Sequence, residues 1–238
     1  MPYLFAPPPV VALPVLGADT LFPVRRVYCV GRNYADHARE MGADTREPPF
    51  FFSKPRDALV PVAEGHVATV AYPPATDNLQ HEVELVVALG PAVAELGRAG
   101  QDIPLAQALD AVFGYAVGFD LTRRDHQQRA KDKAQPWEMG KGFDQSGPVG
   151  PLLSAARAGH PERGHIWLEV NGERRQSGDL GQMNWPVAAI IANLSTMVRL
   201  APGDLIFTGT PAGVSTILPG DTLVGEVAGV GRLSVTLA

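Results

Sequence analysis

The sequence predicts a mixed fold dominated by β-strands, with a few flanking helices. Glycine (25 residues) and proline (22 residues) break the chain into many short apolar runs, the punctuation of strands joined by turns. Several of those runs are β-branched or aromatic, and only three segments carry a helical signature.

Residues 1–20 are Pro-punctuated and read as an extended arm, which leaves 21–238 as a single domain. Residues 25–31 read as a strand entering a Gly31-Arg32-Asn33-Tyr34 loop, and 49–55 as a short aromatic strand. A short helix is expected over 33–41, with Asn33 as N-cap and Gly42 as stop. Segments 81–89 and 112–120 read as buried strands, and the polar stretch 122–133 as a helix. The strongest helical periodicity is over 186–200, where Val187, Ile190, Ile191, Leu194, Met197 and Val198 recur and Pro186 suits a first turn. Strands are expected again at 166–170, 205–209 and 222–227, with Asn171-Gly172 as a tight hairpin turn. Over 232–237, Leu233, Val235 and Leu237 alternate onto one side.

Composition excludes several functions. The net charge is −5 and no Lys/Arg-rich run occurs, so nucleic acid is not an expected partner. The single cysteine, Cys29, excludes a disulfide framework and reads as a small buried side chain in a reducing compartment. The N-terminus lacks the basic start and apolar core of a signal peptide, and no run reaches the ~20 apolar residues of a membrane helix. A soluble, cytoplasmic protein is expected.

The chemistry concentrates in five places. Glu82 and Glu84 interrupt an apolar strand and, two apart, project to the same side. That pair alone also fits a strand with one wet face. A third acid, Asp120, ends the second apolar strand, and three converging carboxylates make an all-oxygen site for Mg²⁺ or Mn²⁺. On the 33–41 helix, His37 and Glu40 lie three apart, where a carboxylate can orient an imidazole as a general base. In Asp120-Leu-Thr-Arg-Arg-Asp-His-Gln, Arg123, Arg124 and Gln127 can hold carboxylate or keto oxygens. Lys141, followed by Gly142 and Phe143, is placed to stabilise an enolate or oxyanion. Finally, a strand ends in Thr208-Gly209-Thr210-Pro211, a turn that can offer backbone N–H groups and the Thr210 hydroxyl to an anion. No nucleophile elbow, zinc spacing or phosphate loop is present.

In order, these blocks resemble the fumarylacetoacetate hydrolase family and its short, acylpyruvate-cleaving members. The matching residues are Val30-Gly31-Arg32-Asn33-Tyr34 with His37 and Glu40; Phe52-Ser53-Lys54-Pro55; His81-Glu82-Val83-Glu84-Leu85; Gly118-Phe119-Asp120-Leu121-Thr122 with Arg124 and Asp125; Lys141-Gly142-Phe143-Asp144; and Thr208-Gly209-Thr210-Pro211. The Phe-Pro-Val-Arg-Arg and Pro-Pro-Phe-Phe-Phe-Ser-Lys-Pro stretches are most similar to the bacterial branch acting on fumarylpyruvate in gentisate-type aromatic catabolism.

The resemblance implies a β-sandwich roll with flanking helices, usually a homodimer. It implies Glu82, Glu84 and Asp120 as metal carboxylates, and His37 with Glu40 as a water-activating dyad on a lid-like segment. Lys141, Gln127 and Thr210 would contact substrate or intermediate; Lys54 and Arg124 match recurring positions of less defined role. His126, beside Gln127, is less usual. The implied reaction is metal-dependent hydrolysis of an acylpyruvate, fumarylpyruvate giving fumarate and pyruvate. Oxaloacetate decarboxylation, or another lyase or isomerase reaction, is the alternative. A non-catalytic protein braced by its metal is a third reading.

Overall fold

Every residue of the Val83–Leu89 strand is buried, so both of its faces need a core, and the architecture supplies two. The structure, a computed structural model, describes residues 2–36 and 48–238. Strands account for 37% of the chain and helices for 21%, the β-dominated mixture the sequence predicts.

Val83–Leu89 lies inside an eight-stranded sheet. Its main path runs Phe50–Lys54, Val27–Gly31, Leu205–Phe207, Val83–Leu89, Val112–Phe119, Gly147–Val149 and Leu59–Pro61, with Leu153–Ser154 also paired to Val112–Phe119. A five-stranded sheet, ordered Glu173–Asp179, His165–Val170, Thr222–Val227, Gly231–Leu237 and Val67–Val70, packs across one face. Leu85, Val87 and Leu89 meet Ile166, Leu168, Leu233 and Val235 in the core between the sheets. Val86 and Ala88 point the other way, into a smaller core with Leu13, Phe22, Cys29 and Phe207. Each such aliphatic side chain contributes roughly 1.5–3 kcal/mol when fully buried.

Local chemistry accounts for the elements. Leu233, Val235 and Leu237 are buried between partly exposed neighbours, the expected alternation. Asn171 and Gly172 both have positive φ, 53° and 82°, as a tight hairpin turn joining His165–Val170 to Glu173–Asp179 requires. The apolar helix runs Val187–Met197, starting just after Pro186, and the polar helix runs Arg124–Asp132. In place of its expected first two residues, Thr122–Arg123 pairs with Leu79–Gln80. Within the N-terminal arm, Ala12–Pro14 pairs antiparallel with Leu21–Pro23.

Most of the expected 33–41 helix, with its Gly42 stop, lies outside the described residues. Within them the Asn33 side chain is engaged across the fold: its Oδ1 accepts from Trp185 N–H at 2.8 Å, and its Nδ2 donates to the carbonyls of Thr208 (2.8 Å) and Trp185 (3.0 Å). The side chain, 1% exposed, therefore ties three loops together beneath the site. Removing it strands buried backbone groups. Asn33→Ala is expected to lower unfolding stability by about 3 kcal/mol in urea titration, with an unchanged denaturant slope marking an intact fold.

Candidate active site

The sheet register brings the acids together. Val83 pairs with Phe119 and Glu84 with Gly118. Asp120 N–H then donates to the Glu82 carbonyl at 2.9 Å, extending the pairing one residue past each strand. One carboxylate oxygen from each of Glu82, Glu84 and Asp120 lies within 4.8 Å of the others, and all three residues are buried.

Such a cluster repels itself. Burial, then the charges of Asp120 and Glu82, push the Glu84 carboxyl well above the usual carboxylate range; Lys141 and the Gly209 N–H act against this. Three buried cations face the three buried acids. Lys141 Nζ donates to Glu82 Oε2 and Asp120 Oδ2, both at 2.7 Å. Burial alone would neutralise this lysine, but Asp120 and Glu82 outweigh burial and hold its pKa above the ordinary value. Lys54 Nζ lies 2.8 Å from Asp120 Oδ1, and Arg124 Nη2 donates to Glu82 Oε1. Asp120 Oδ1 is paired by charge yet accepts no hydrogen bond, an under-used acceptor in the middle of the cluster. Hard, anionic oxygens with spare lone pairs suit Mg²⁺ or Mn²⁺, so the residues fit a divalent cation.

A second layer fixes these groups. Arg124 directs Nη1 to Gln127 Oε1 (2.7 Å) and Nε to Gln80 Oε1 (2.7 Å), which leaves the Gln127 amide N–H groups as donors. Lys54 also donates to Ser146 Oγ at 3.0 Å and to the Lys141 carbonyl, anchoring the turn that presents Lys141. Gly209, at φ 99°, donates its N–H to Glu84 Oε2 at 2.6 Å. The anion that this turn holds is thus the protein's own carboxylate. Thr210 Oγ1 donates to Val83 carbonyl (2.8 Å) and accepts from Gln176 Nε2 (2.8 Å). Gln176 Oε1 receives Val83 N–H (3.1 Å) and contacts His81 Nδ1 (2.9 Å). Burial lowers the His81 pKa to about 4, against the Gln176 hydrogen bond, so the imidazole is neutral.

Above the acids a cleft opens, lined by Lys141, Arg124, Gln127 and Thr210 and walled by Phe50, Phe52 and Trp137. Trp137 meets Phe50 edge-on, with ring centroids 5.3 Å apart, and Phe52 at 5.8 Å. Phe50 lies so close over Gly31 that any Cβ there would overlap its ring.

The sequence-derived residues thus gather, with qualifications. Glu82, Glu84, Asp120, Lys141, Arg124, Gln127 and Thr210 line one cleft; Lys54 sits behind Asp120, outside that lining. His37 and Glu40 lie outside the described residues. His126 faces the Ala75 carbonyl and does not line the cleft. Gln176 escaped sequence reasoning because its strand is polar and exposed around it, and nothing marks it as the one fully buried residue there. Lys131, another cleft residue, was legible as the position one helical turn past Gln127.

Glu84→Gln separates the two consequences of the cluster. It is expected to lose tight Mn²⁺ binding by calorimetry. In chelator it should raise the melting temperature by roughly 2–4 °C, because a repelled buried charge is removed; with saturating Mn²⁺ the order should reverse.

The family model described as fumarylacetoacetate (FAA) hydrolase C-terminal matches residues 26–238. A crystal structure of fumarylpyruvate hydrolase from Pseudomonas aeruginosa, in complex with Mn²⁺ and pyruvate, superposes with a TM-score of 0.95 at 52% identity, covering 100% of this chain and 99% of that one. A fumarylpyruvate hydrolase from Ralstonia sp is 42% identical over 191 residues, 80% of this chain and 93% of the relative. A mitochondrial oxaloacetate tautomerase from Rattus norvegicus is 40% identical over 206 residues, 87% of this chain and 88% of the relative.

Proposed function

The chain belongs to the fumarylacetoacetate hydrolase family, and from that premise we propose that it is a metal-dependent hydrolase cleaving a carbon–carbon bond in an acylpyruvate, fumarylpyruvate to fumarate and pyruvate. The observation that carries this reading is the buried carboxylate triad, with Lys141 bridging two of its members at the floor of a cleft. A relative at 52% identity binds Mn²⁺ and pyruvate, one of the two products this reaction would give.

Glu82, Glu84 and Asp120 would hold the cation, whose charge would polarise the adjacent carboxylate and 2-oxo oxygens of the substrate. The protein's own groups do the rest. His37, oriented by Glu40, takes a proton from water, and the resulting hydroxide adds to the acyl carbonyl carbon. The bond between that carbon and the methylene breaks, and its electron pair passes into the enolate of pyruvate. Lys141, kept cationic by its neighbours, offsets the charge growing on that enolate. Protonation of the methylene carbon completes pyruvate, and the acyl half leaves as fumarate. Arg124 and the Gln127 amide hold the ground-state oxygens in place. We further propose a single catalytic domain over 21–238, a cytoplasmic homodimer and a place in gentisate-type aromatic catabolism. No described helix is long and apolar enough to cross a membrane.

Oxaloacetate chemistry is the second reading, because decarboxylation passes through the same pyruvate enolate, tautomerisation passes through the related enolate of the intact 2-oxo acid, and a 40% identical relative is an oxaloacetate tautomerase. Those reactions need no attacking water. The deciding assay follows loss of dioxo-acid absorbance and pyruvate formation from fumarylpyruvate, acetylpyruvate and oxaloacetate, each with Mn²⁺ or with chelator. Metal-dependent pyruvate release from fumarylpyruvate, abolished by His37→Ala, is expected; pyruvate from oxaloacetate alone would make the protein a decarboxylase. Lys141→Met should lower kcat by about 10²–10³-fold and leave measurable Mn²⁺ binding.

A further inference from the structure

The helix Arg124–Asp132 lays three cleft residues along one face, Arg124, Gln127 and Lys131. Arg124 touches the acid cluster. Lys131 lies seven residues further on, about 10 Å along the axis at 1.5 Å per residue, toward the aromatic wall. Its ammonium sits 5.5 Å from the centroid of the Trp137 ring. Across the cleft, the Arg32 guanidinium sits 5.5 Å from the centroid of the Phe50 ring. Among the described residues neither cation has a carboxylate within ion-pair distance, unlike every cation on the cleft floor.

Two further observations point the same way. Arg32 is a non-glycine residue at φ 58°, a conformation that persists only where the surroundings impose it. Burial first, then the charges of Arg32, Arg124 and Lys141, lower the Lys131 pKa to about 8. Positive charge is therefore crowded at this end of the cleft, and Glu82 on the cleft floor opposes it only in part.

We propose that Arg32 and Lys131 form the subsite for a second carboxylate, at the far end of the acyl arm, so that the cleft selects dicarboxylic over monocarboxylic 2,4-dioxo acids. The proposal rests on the acylpyruvate reading of the cleft. The acid cluster engages the pyruvoyl end, the planar arm runs along the aromatic wall of Phe50, Phe52 and Trp137, and the distal carboxylate meets the two cations. Acetylpyruvate offers only a methyl group there. Oxaloacetate carries its second carboxylate too close to the pyruvoyl end to reach them.

The test compares wild type, Lys131→Met and Arg32→Gln on fumarylpyruvate and acetylpyruvate. Each variant is expected to lower the ratio of kcat/KM values, fumaryl over acetyl, by about ten- to a hundredfold, carried mainly by KM. An unchanged ratio in both variants overturns the proposal, whatever happens to the absolute rates. Calorimetry with Mn²⁺ present supplies a readout independent of turnover. Fumarate should bind wild type at least tenfold more tightly than crotonate, which carries a methyl group in place of one carboxylate, and Lys131→Met should erase the difference. Equal binding of the two acids to wild type overturns the proposal. If wild type cleaves neither dioxo acid, the hydrolase assignment fails, and the fumarate–crotonate comparison still decides the subsite.

Discussion

Three carboxylates cannot share one buried pocket without a counter-charge, and much of the structure follows from that constraint. The sheet register forces Glu82, Glu84 and Asp120 together, so neutralisation has to come from elsewhere in the chain. Lys141, Lys54 and Arg124 arrive from three different segments, and each is nearly excluded from solvent itself. An isolated charge at that depth is costly. Lys141 bridges Glu82 and Asp120, Arg124 pairs with Glu82 and Lys54 with Asp120, which binds the floor of the cleft into a single electrostatic unit. Removing one partner from these pairs leaves a buried, unpaired opposite charge, a larger penalty than the loss of a surface pair.

A unit of this kind needs a rigid mounting, and neutral hydrogen bonds provide it. Gln176 reaches from the second sheet to Val83, Thr210 and His81, so the two sheets are pinned together directly behind the acids. Asn33 does the same for the loops carrying Trp185 and Thr208. Gly209 serves both purposes: its left-handed backbone aims an N–H at Glu84, and a Cβ there would press on Asn33 at 2.7 Å. Neutral amides suit this layer because they orient without adding charge to a site that already holds six buried acidic and basic side chains.

The legible part of the fold was the part written as periodicity. Alternation at Leu233, Val235 and Leu237, the helical recurrence in Val187–Met197 and the Asn171-Gly172 turn each state their own geometry. The acids were legible for a different reason: Glu82 and Glu84 are costly in an apolar strand, and a costly residue announces a compensating partner. What sequence could not reveal were partners supplied across the fold. Asn33 had the local look of a helix cap, but its preferred acceptors and donors arrive from residues 185 and 208. Gln176 sits among exposed polar residues and is singled out only when the facing strand buries it. The length of Arg124–Asp132 was nearly right; the first two residues expected in it were drawn off by pairing with Leu79–Gln80, a competing backbone interaction with no local sequence signature.

That shortened helix shows how substrate length can be encoded in a regular element. Its register assigns one side chain per turn to successive depths of the cleft: Arg124 at the acids, Gln127 above them, Lys131 near the aromatic wall. Because the spacing is set by helical rise rather than by loop conformation, the distances between these groups are stiff. In the proposed reading, the chemistry at the deep end is common to 2-oxo acids that form an enolate there. Discrimination among such acids must come from what each carries further out. Lys131 makes no ion pair with the three acids among the described residues, so in the proposed reading charge at this third position bears chiefly on the acyl arm. On the proposed reading, catalysis and selectivity can then change independently along one helix.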